Sequence, residues 1–437
     1  MEDIKYTISK YIEGEFEYEI YVESVERTLV ETSDEKLENV SRSKEMGVGI
    51  RVLKGSRIGF AYTSDIRRQA LRECVTRAIE ICNLMPEDEG FCFNCNAHLN
   101  RVEDKEDINM SVEDRVELLV YLEKLAKSMD NRIRGVRKTS LEQRVVDVYC
   151  YNSCGLEYSH RSIYYTSSMS ILAEYGDDSS ISYGFRGARR FKSLDIHGMV
   201  KDTVFKATSL LNPTPYETKT MPVIFFREAF AMLLEAFSPA FLGDSLVGNK
   251  TPLKDKVGEP IASKMVCLID NATLEGGFMS YPYDAEGAKA RKNMIIENGV
   301  FRGFLHSLYT SKKLREDQTG NSVRSSYKNI PTSGITNLYV EKGSMKVEDM
   351  IKVYDEVFLV LDLMGLHTSD PVSGDFSLGA SGIIYKGGKE KKSVRGITIS
   401  GNVWDVFKNV ICVGEDLAFY ANVGSPSLIV ERLTVGA

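Results

Sequence analysis

Residues Asn212-Pro213-Thr214-Pro215 divide the chain into two parts of different character. Two prolines in four residues cannot continue a helix, because proline lacks the amide hydrogen and its ring clashes with the preceding turn. We therefore predict a border here between an N-terminal domain, residues 1–212, and a C-terminal domain, residues 213–437. A length of 437 residues is also too long for one domain of the usual roughly 100 to 200 residues, and we expect two domains.

The residues before this border show the patterns of both strands and helices. Apolar and polar residues alternate from Phe16 to Val30, which predicts a half-buried strand. Two further strands are predicted between Gly47 and Tyr62, around a turn at residues 54–56. Several strands are predicted between Ile133 and Phe191. Helices are predicted at about residues 65–84, 111–129 and 195–211, the second of them opened by a capping-box pattern at Ser111.

The residues after the border predict mostly strands. A strand at Met221 to Phe226 is followed by a helix at about residues 227–242, and then by short apolar runs separated by turns. Runs of strands with separate helices, without strict βαβ alternation, indicate an α+β fold. We expect an N-terminal α/β-type domain with mixed strands and helices and a C-terminal domain that is mainly antiparallel β.

The charge balance excludes one class of partner. Lys and Arg number 55 against 62 Asp and Glu, a formal charge of −7, which provides no basic surface for nucleic acid. The first 19 residues lack the basic start and apolar core of a signal peptide, so we expect a cytoplasmic protein. The most apolar stretch, residues 357–364, is far shorter than the roughly 20 residues that span a bilayer, and we expect no membrane segment.

Eight cysteines in a cytoplasmic chain of this length are expected to be reduced thiols. Cys92, Cys95 and His98 have a spacing that could bind a metal, but a structural zinc site usually has four ligands and no second pair follows. We favour a loop with incidental thiols, and metal binding there remains an open alternative.

His367 lies near Asp370 and Asp375, which could form a mixed histidine and carboxylate site. Aspartates beside Pro371 and Gly374 are also typical of turns, where the carboxylate accepts hydrogen bonds from nearby backbone amides. We favour the turn interpretation.

Four motifs in the C-terminal half carry a family resemblance. They are Glu356-Val-Phe-Leu-Val-Leu-Asp-Leu-Met-Gly365, Ser373-Gly-Asp-Phe-Ser-Leu-Gly-Ala-Ser-Gly382, Gly396-Ile-Thr-Ile-Ser-Gly-Asn402 and Cys412-Val-Gly-Glu-Asp416. In this order and spacing they resemble the PmbA (TldE) branch of the TldD/PmbA family. Glu415 stands where the family commonly has asparagine. The resemblance extends over nearly the whole chain, and the family's older label, modulator of DNA gyrase, implies no direct contact with DNA.

The resemblance implies an unusual metallopeptidase system. TldD-type members carry a His-Glu-x-x-x-His motif whose histidines bind zinc together with a cysteine near the carboxy terminus, and whose glutamate is the general base. They pair with PmbA-type members that lack the motif, and the pair acts on unfolded or extended peptides. This sequence is similar to the partner. The motif residues that the resemblance puts near the presumed cleft are His367, Gly374, Asp375, Phe376, Gly401 and Asn402.

The zinc motif is degenerate in this chain. By the resemblance, Arg227 and Met232 replace the two histidines, Glu228 remains, and residues 416–426 contain no cysteine. Arginine has no lone pair for a metal, and a thioether is too soft to favour Zn(II). A glutamate base needs a metal-activated water, so we interpret Glu228 as a carboxylate at a helix start, where it favours the helix dipole. Phe230, Leu233, Leu234 and Phe237 are expected to form the inward face of this helix.

Three hypotheses for function follow, and whether the chain is itself an enzyme stays open. The first is a non-catalytic subunit that dimerises with a TldD-like chain, with zinc in that partner and no cofactor here. The second is a stand-alone homodimer that binds extended peptides at a sheet edge. The third is a peptidase that uses an unrecognised site around His367 and Asp375.

Overall fold

The computed structural model describes residues 2–12, 14–95, 99, 101–105 and 108–436. Helices and strands are both abundant, as an α+β fold requires. The helices in the described residues are α1 (Glu2–Tyr11), α2 (Arg68–Leu84), α3 (Val112–Met129), α4 (Ile196–Ser209), α5 (Arg227–Phe237), α6 (Gly243–Val247), α7 (Leu308–Leu314), α8 (Val347–Met350) and α9 (Val403–Lys408).

The strands in the same residues are β1 (Glu17–Ser33), β2 (Lys36–Lys54), β3 (Arg57–Thr63), β4 (Val102–Glu103), β5 (Ile133–Asn152), β6 (Glu157–Tyr175), β7 (Asp178–Ala188), β8 (Lys219–Phe225), β9 (Leu268–Asn271), β10 (Lys292–Glu297), β11 (Val300–Phe301), β12 (Ser322–Val323), β13 (Thr332–Ser333), β14 (Leu338–Val340), β15 (Glu356–Met364), β16 (Asp375–Lys386), β17 (Glu390–Asn402), β18 (Val410–Val413), β19 (Ala418–Tyr420), β20 (Val423–Ser425) and β21 (Leu428–Gly436).

One long sheet dominates the N-terminal half. Its order is β3-β2-β1-β5-β6-β4, with β7 also paired to β6. Neighbouring strands are antiparallel except β4 and β6. The predicted turn between β2 and β3 is confirmed, and Gly55 in it has a φ of +61°, a left-handed conformation that glycine adopts without steric cost.

Helices cover this sheet in two separate places. Apolar residues of α1 and α2 bury one group of strand residues near β1 to β3, and those of α3 and α4 bury another group on β5 and β6. The predicted start of α3 is confirmed: Asp114 N donates to Ser111 Oγ, and the Asp114 carboxylate accepts from Ser111 N. The helix α1 was not predicted.

The described strands of the C-terminal half form two six-stranded sheets and a separate antiparallel pair of β12 and β13. One has the order β17-β16-β15-β8-β21-β18 and the other β11-β10-β9-β14-β20-β19. Most pairs in these two sheets are antiparallel, and β8 with β15 and β14 with β20 are the parallel pairs among their described strands. The helix α5 shares one apolar core with residues of both sheets.

The predicted inward face of α5 is confirmed, because Phe230, Leu233, Leu234 and Phe237 are all buried. The predicted end of this helix at residue 242 is wrong. The α-helix ends at Phe237, and a 3-10 turn follows over Ser238–Phe241. Pro239 has no amide hydrogen to donate to the preceding turn, so the α-helical pattern cannot continue through it.

The expectation that all cysteines are reduced is wrong for two of them. Cys95 and Cys154 form a disulfide, with Cα atoms 5.0 Å apart, a normal separation for such a bond. The six other cysteines, including Cys92, are free. His98 lies outside the described residues, as does any site that would include it. Of the helices in the described residues, none has the length and apolar character to cross a bilayer.

Candidate functional site

The strand-to-helix junction at residues 225–227 is the centre of the candidate site. Strand β8 ends at Phe225, and α5 begins at Arg227 without a side-chain cap from Phe226. Instead, Arg227 N donates to Ser427 Oγ at 3.1 Å, and Ser427 Oγ donates to Asp416 Oδ2 at 2.8 Å. The segment that precedes β21 therefore holds the first turn of α5 in place.

The Arg227 guanidinium is held by two carboxylates. Its Nη2 donates to Asp202 Oδ1 at 2.5 Å, and its Nη1 lies 3.8 Å from Asp416 Oδ2. Burial disfavours the charged form of Arg227, but the hydrogen bond and charge of Asp202 outweigh this effect and raise its pKa above the ordinary value. Arg227 is therefore a permanent cation at this position.

Asp202 lies on α4 and is shared between two arginines. Arg186, on β7, donates from Nη2 to the other Asp202 oxygen at 2.5 Å. The Arg186 guanidinium also stacks 4.7 Å from the centre of the Tyr420 ring. Burial, followed by the charge of Glu228, raises the pKa of Tyr420, so its hydroxyl stays protonated. That hydroxyl is buried and has no hydrogen-bond partner in the described part of the chain.

Glu228 is buried in the first turn of α5 and pairs with a lysine from another helix. Its Oε2 accepts from Lys206 Nζ at 2.6 Å, and Lys206 also donates to the Tyr183 carbonyl oxygen at 2.6 Å. Both side chains are almost fully buried. The Glu228 carboxylate is thus paired with a fixed cation, and this pair links α5 to α4.

These residues do not fit a zinc ion. Arg227 is occupied by two carboxylates and can give no lone pair. Met232 is half-buried five residues later on the regular α5, where side chains five apart point about 140° away from each other. Within the described ranges, no group of three or more His, Cys, Asp and Glu side chains is arranged to hold a metal ion.

The family-motif residues meet at the other end of α5. Asp375 pairs with Asn402 and Phe376 with Gly401 across β16 and β17. Asn402 Nδ2 donates to Asp375 Oδ1 at 2.8 Å, and the Asn402 side-chain oxygen caps α9. The Phe376 ring packs 6.4 Å from that of Phe237, the last residue of α5.

Gly374 has a positive φ of +87°, and a Cβ atom there would lie 2.4 Å from Trp404 Nε1, so glycine is required. His367 is exposed in a short 3-10 turn, and the Asp370 carboxylate accepts from Val372 N at 2.9 Å. The side-chain oxygens of Asp370 and Asn402 accept hydrogen bonds from nearby backbone amides, as in residues that shape turns and cap helices.

Sequence reasoning did not find the partners of Arg227 and Glu228. These partners are Asp202 and Asp416 for Arg227 and Lys206 for Glu228. A weak signal was available on α4. Asp202 and Lys206 are four residues apart and lie among buried apolar side chains of that helix, so two charged side chains share its inward face and each needs a partner from another element.

A cavity of about 390 Å³ adjoins this charged cluster. It is bounded by β7, by the loop at residues 274–278 and by the segment at residues 417–421. Its wall includes Arg186, which ties it to the Asp202 network.

Comparisons with known proteins agree with the sequence motifs. Three family models match: PmbA/TldA metallopeptidase domain 1 at residues 18–82, the central domain at residues 105–211 and the C-terminal domain at residues 218–437. The predicted border after residue 212 lies between the last two of these matches.

Similar proteins cover nearly the whole chain. The metalloprotease PmbA homolog of Haemophilus influenzae is 27% identical over 426 residues, covering 95% of this chain and 91% of that protein. The metalloprotease TldD homolog of the same species is 25% identical over 422 residues, covering 90% and 87%. The crystal structure of TldE from Thermococcus kodakarensis superposes with a TM-score of 0.88 at 26% identity, covering 100% of both chains. The chain belongs to the PmbA/TldD metallopeptidase family.

Proposed function

We propose that this chain is a non-catalytic, PmbA/TldE-like subunit that pairs with a zinc-carrying TldD-like chain to cleave unfolded or extended peptides. The observation that carries the proposal is the position of Arg227. A cation held by Asp202 and Asp416 stands where catalytic relatives are expected to have a zinc ligand.

The state of Glu228 supports the same proposal. A general base must be free to accept a proton from water, whereas the Glu228 carboxylate is buried against Lys206. With no metal ligand on either side of it in the motif, Glu228 has a structural role. It holds α5 against α4, and so helps to fix the position of the two halves of the chain relative to each other.

Relatives of both types support the existence of a partner. Haemophilus influenzae has a PmbA homolog and a TldD homolog that are both similar to this chain. Two chains of one fold can use the same surface for a homodimer or for a mixed dimer. We propose that the mixed dimer is the active form and that the partner supplies all the metal ligands.

The test is co-expression with a TldD-like chain from the same genome, followed by mass photometry and an assay on an unfolded protein. We expect a mixed dimer with chelator-sensitive peptidase activity, and no activity from this chain alone. Glu228→Gln here should leave activity per complex unchanged, whereas the same change in the partner's motif should abolish it. A strict monomer that does not alter the partner's activity would contradict the subunit role and favour a stand-alone peptide-binding protein.

A further inference from the structure

A second cavity, of about 500 Å³, lies between the N-terminal sheet and the C-terminal half. Its floor is one face of β1, β5 and β6, and its roof is formed by residues 278–285 and 322–325. This volume is in the range of pockets that bind small molecules or single side chains. None of the motif residues discussed above lines it.

Aromatic side chains connect the floor to the roof. Tyr158 on β6 packs against Tyr283, with ring centres 5.1 Å apart, and Tyr164 packs against Phe278 at 5.0 Å. Both contacts are tilted, as edge-to-face aromatic pairs prefer. The cavity is therefore bounded by two aromatic pairs, each with one ring on the sheet and one on the C-terminal half.

Polar side chains also line the cavity, and charged ones among them are paired: Arg324 with Glu19, and Arg189 with Asp104. Tyr281 lines the cavity, and its buried hydroxyl has no hydrogen-bond partner in the described part of the chain. Burial, followed by the charges of Asp270 and Asp284, raises the pKa of this phenol, so it remains a donor. His160 lies on the floor, where burial, followed by the charge of Arg189, lowers its pKa to about 4. At neutral pH its imidazole is uncharged and can both donate and accept.

Phe278 connects this cavity to the motif region. It lines the cavity described here and also the one beside Arg186. The two cavities therefore adjoin each other at this phenylalanine.

We propose that the cavity between the halves binds an aromatic ring that carries a hydrogen-bonding group, supplied by a tyrosine-like side chain of an extended peptide. Aromatic walls favour a ring over an aliphatic chain because ring edges and faces attract each other. The unpaired Tyr281 hydroxyl favours a ligand that can accept its hydrogen bond, because a buried polar group without a partner is costly. The neutral His160 imidazole adds a group that can donate or accept. The assignment of the ring to a peptide rests on the proposed function. The same chemistry could come from a free aromatic metabolite.

The test uses the purified full-length chain and isothermal titration calorimetry. The ligands are acetyl-Gly-Gly-Tyr-Gly-Gly-amide, the same peptide with Ala in place of Tyr, and N-acetyltyrosinamide. We expect the tyrosine peptide to bind at least tenfold more tightly than the alanine peptide. Binding of N-acetyltyrosinamide without binding of the peptide would overturn the peptide source. Equal binding of both peptides would overturn the proposal.

Two variants assign the binding to this cavity. Ser162→Phe fills the cavity from its floor and should abolish binding, whereas Ser170→Phe, on the same strand but outside the cavity, should bind like the natural chain. Tyr281→Phe removes only the unpaired hydroxyl, so it should fold normally and weaken binding three- to tenfold. Unchanged affinity in Tyr281→Phe and in folded Ser162→Phe would overturn the site.

The titration needs no second protein, so its result separates the two proposals. A chain that discriminates between the peptides but never pairs with a TldD-like chain would contradict the subunit role alone. A chain that pairs and supports cleavage but does not discriminate would contradict this inference alone.

Discussion

Arg324 of the C-terminal half donates to Glu19 on β1, and both side chains are about 1% exposed. Glu19 also accepts two hydrogen bonds from Arg51 on β2, and Arg51 in turn donates to Glu286 at 3.0 Å. Two arginines and two glutamates thus form a neutral buried network that crosses between the halves. Removing the charge of one of these side chains leaves another buried charge without a partner.

Glu19→Gln should therefore lower the free energy of unfolding by about 3 to 5 kcal/mol, the usual cost of removing one partner of a buried pair. Urea unfolding at pH 7 measures this change. Glu26→Gln is the matched control on the same strand, because the ion pair of Glu26 with Lys44 is exposed and 3.8 Å long, and it should change stability by less than about 0.5 kcal/mol.

The same network makes stability depend on pH. Burial opposes ionisation of Glu19, but the charges of Arg324 and Arg51 outweigh it and lower its pKa from 4.5 to about 2. A lowered pKa in the folded state stabilises the protein above the unfolded pKa and loses this effect as the pH falls through the folded value. We expect Glu19 to contribute to a loss of stability between pH 4.5 and 2, and the Glu19→Gln variant to lack that contribution. An identical pH slope in both proteins would contradict the assignment.

Restoring the two histidines should not restore an enzyme. In Arg227→His with Met232→His, two ligands return, but residues 416–426 still offer no cysteine and α5 stays regular at Ala231. We expect weak zinc binding and no peptidase activity. Adding Ala231→Gly should improve binding somewhat, because glycine allows the local distortion that brings ligands five residues apart together. Elemental analysis after gel filtration and an assay on unfolded protein check this. A competent peptidase from the double variant alone would disprove the role given to the missing ligand.

The pair of Glu228 and Lys206 should behave as a structural link. Glu228→Gln leaves a buried lysine cation and should cost about 3 kcal/mol of stability. The double variant Glu228→Leu with Lys206→Met should regain most of it, because a buried pair can often be replaced by apolar residues. Thermal and urea unfolding give the double-mutant cycle, with the exposed Glu235→Gln on the same helix as the control. Strict additivity of the two single changes would show that they do not interact.

The disulfide between Cys95 and Cys154 should stabilise the oxidised chain. It spans 59 residues, and closing such a loop in the unfolded state corresponds to about 4 kcal/mol in the chain-entropy treatment. We expect Cys154→Ser to lose much of this amount and to become insensitive to reductant, while Cys92→Ser keeps the sensitivity. Mass spectrometry of the alkylated chain counts the free thiols. Eight alkylated cysteines without reduction would contradict the bond.

The sequence predicted those elements whose signals are local. The alternation in β1, the capping box at Ser111 and the apolar face of α5 each lie within a few residues, so periodicity and capping chemistry determine them. The end of α5 was misplaced, although Pro239 was visible, because apolar residues continue beyond it and hide the change to a 3-10 turn.

What was missed depends on contacts between distant segments. Arg227 could be identified as a poor metal ligand from its chemistry, but its partners Asp202 and Asp416 come from α4 and from the segment before β21. Cys95 and Cys154 meet only because the segment after α2 packs on the turn between β5 and β6. No periodicity in the sequence records such pairings, so neither could be predicted from one chain.

The ion pairs of Arg227 also limit how this lineage can change. A single step back to histidine would remove the cation that Asp202 and Asp416 share, and would weaken the fold before any metal could bind. On the proposed function, a second histidine and a cysteine would still be missing, so each intermediate would be less stable without being more active. Arg227 therefore stabilises the fold in its own right, and descendants of this chain are expected to keep the arginine.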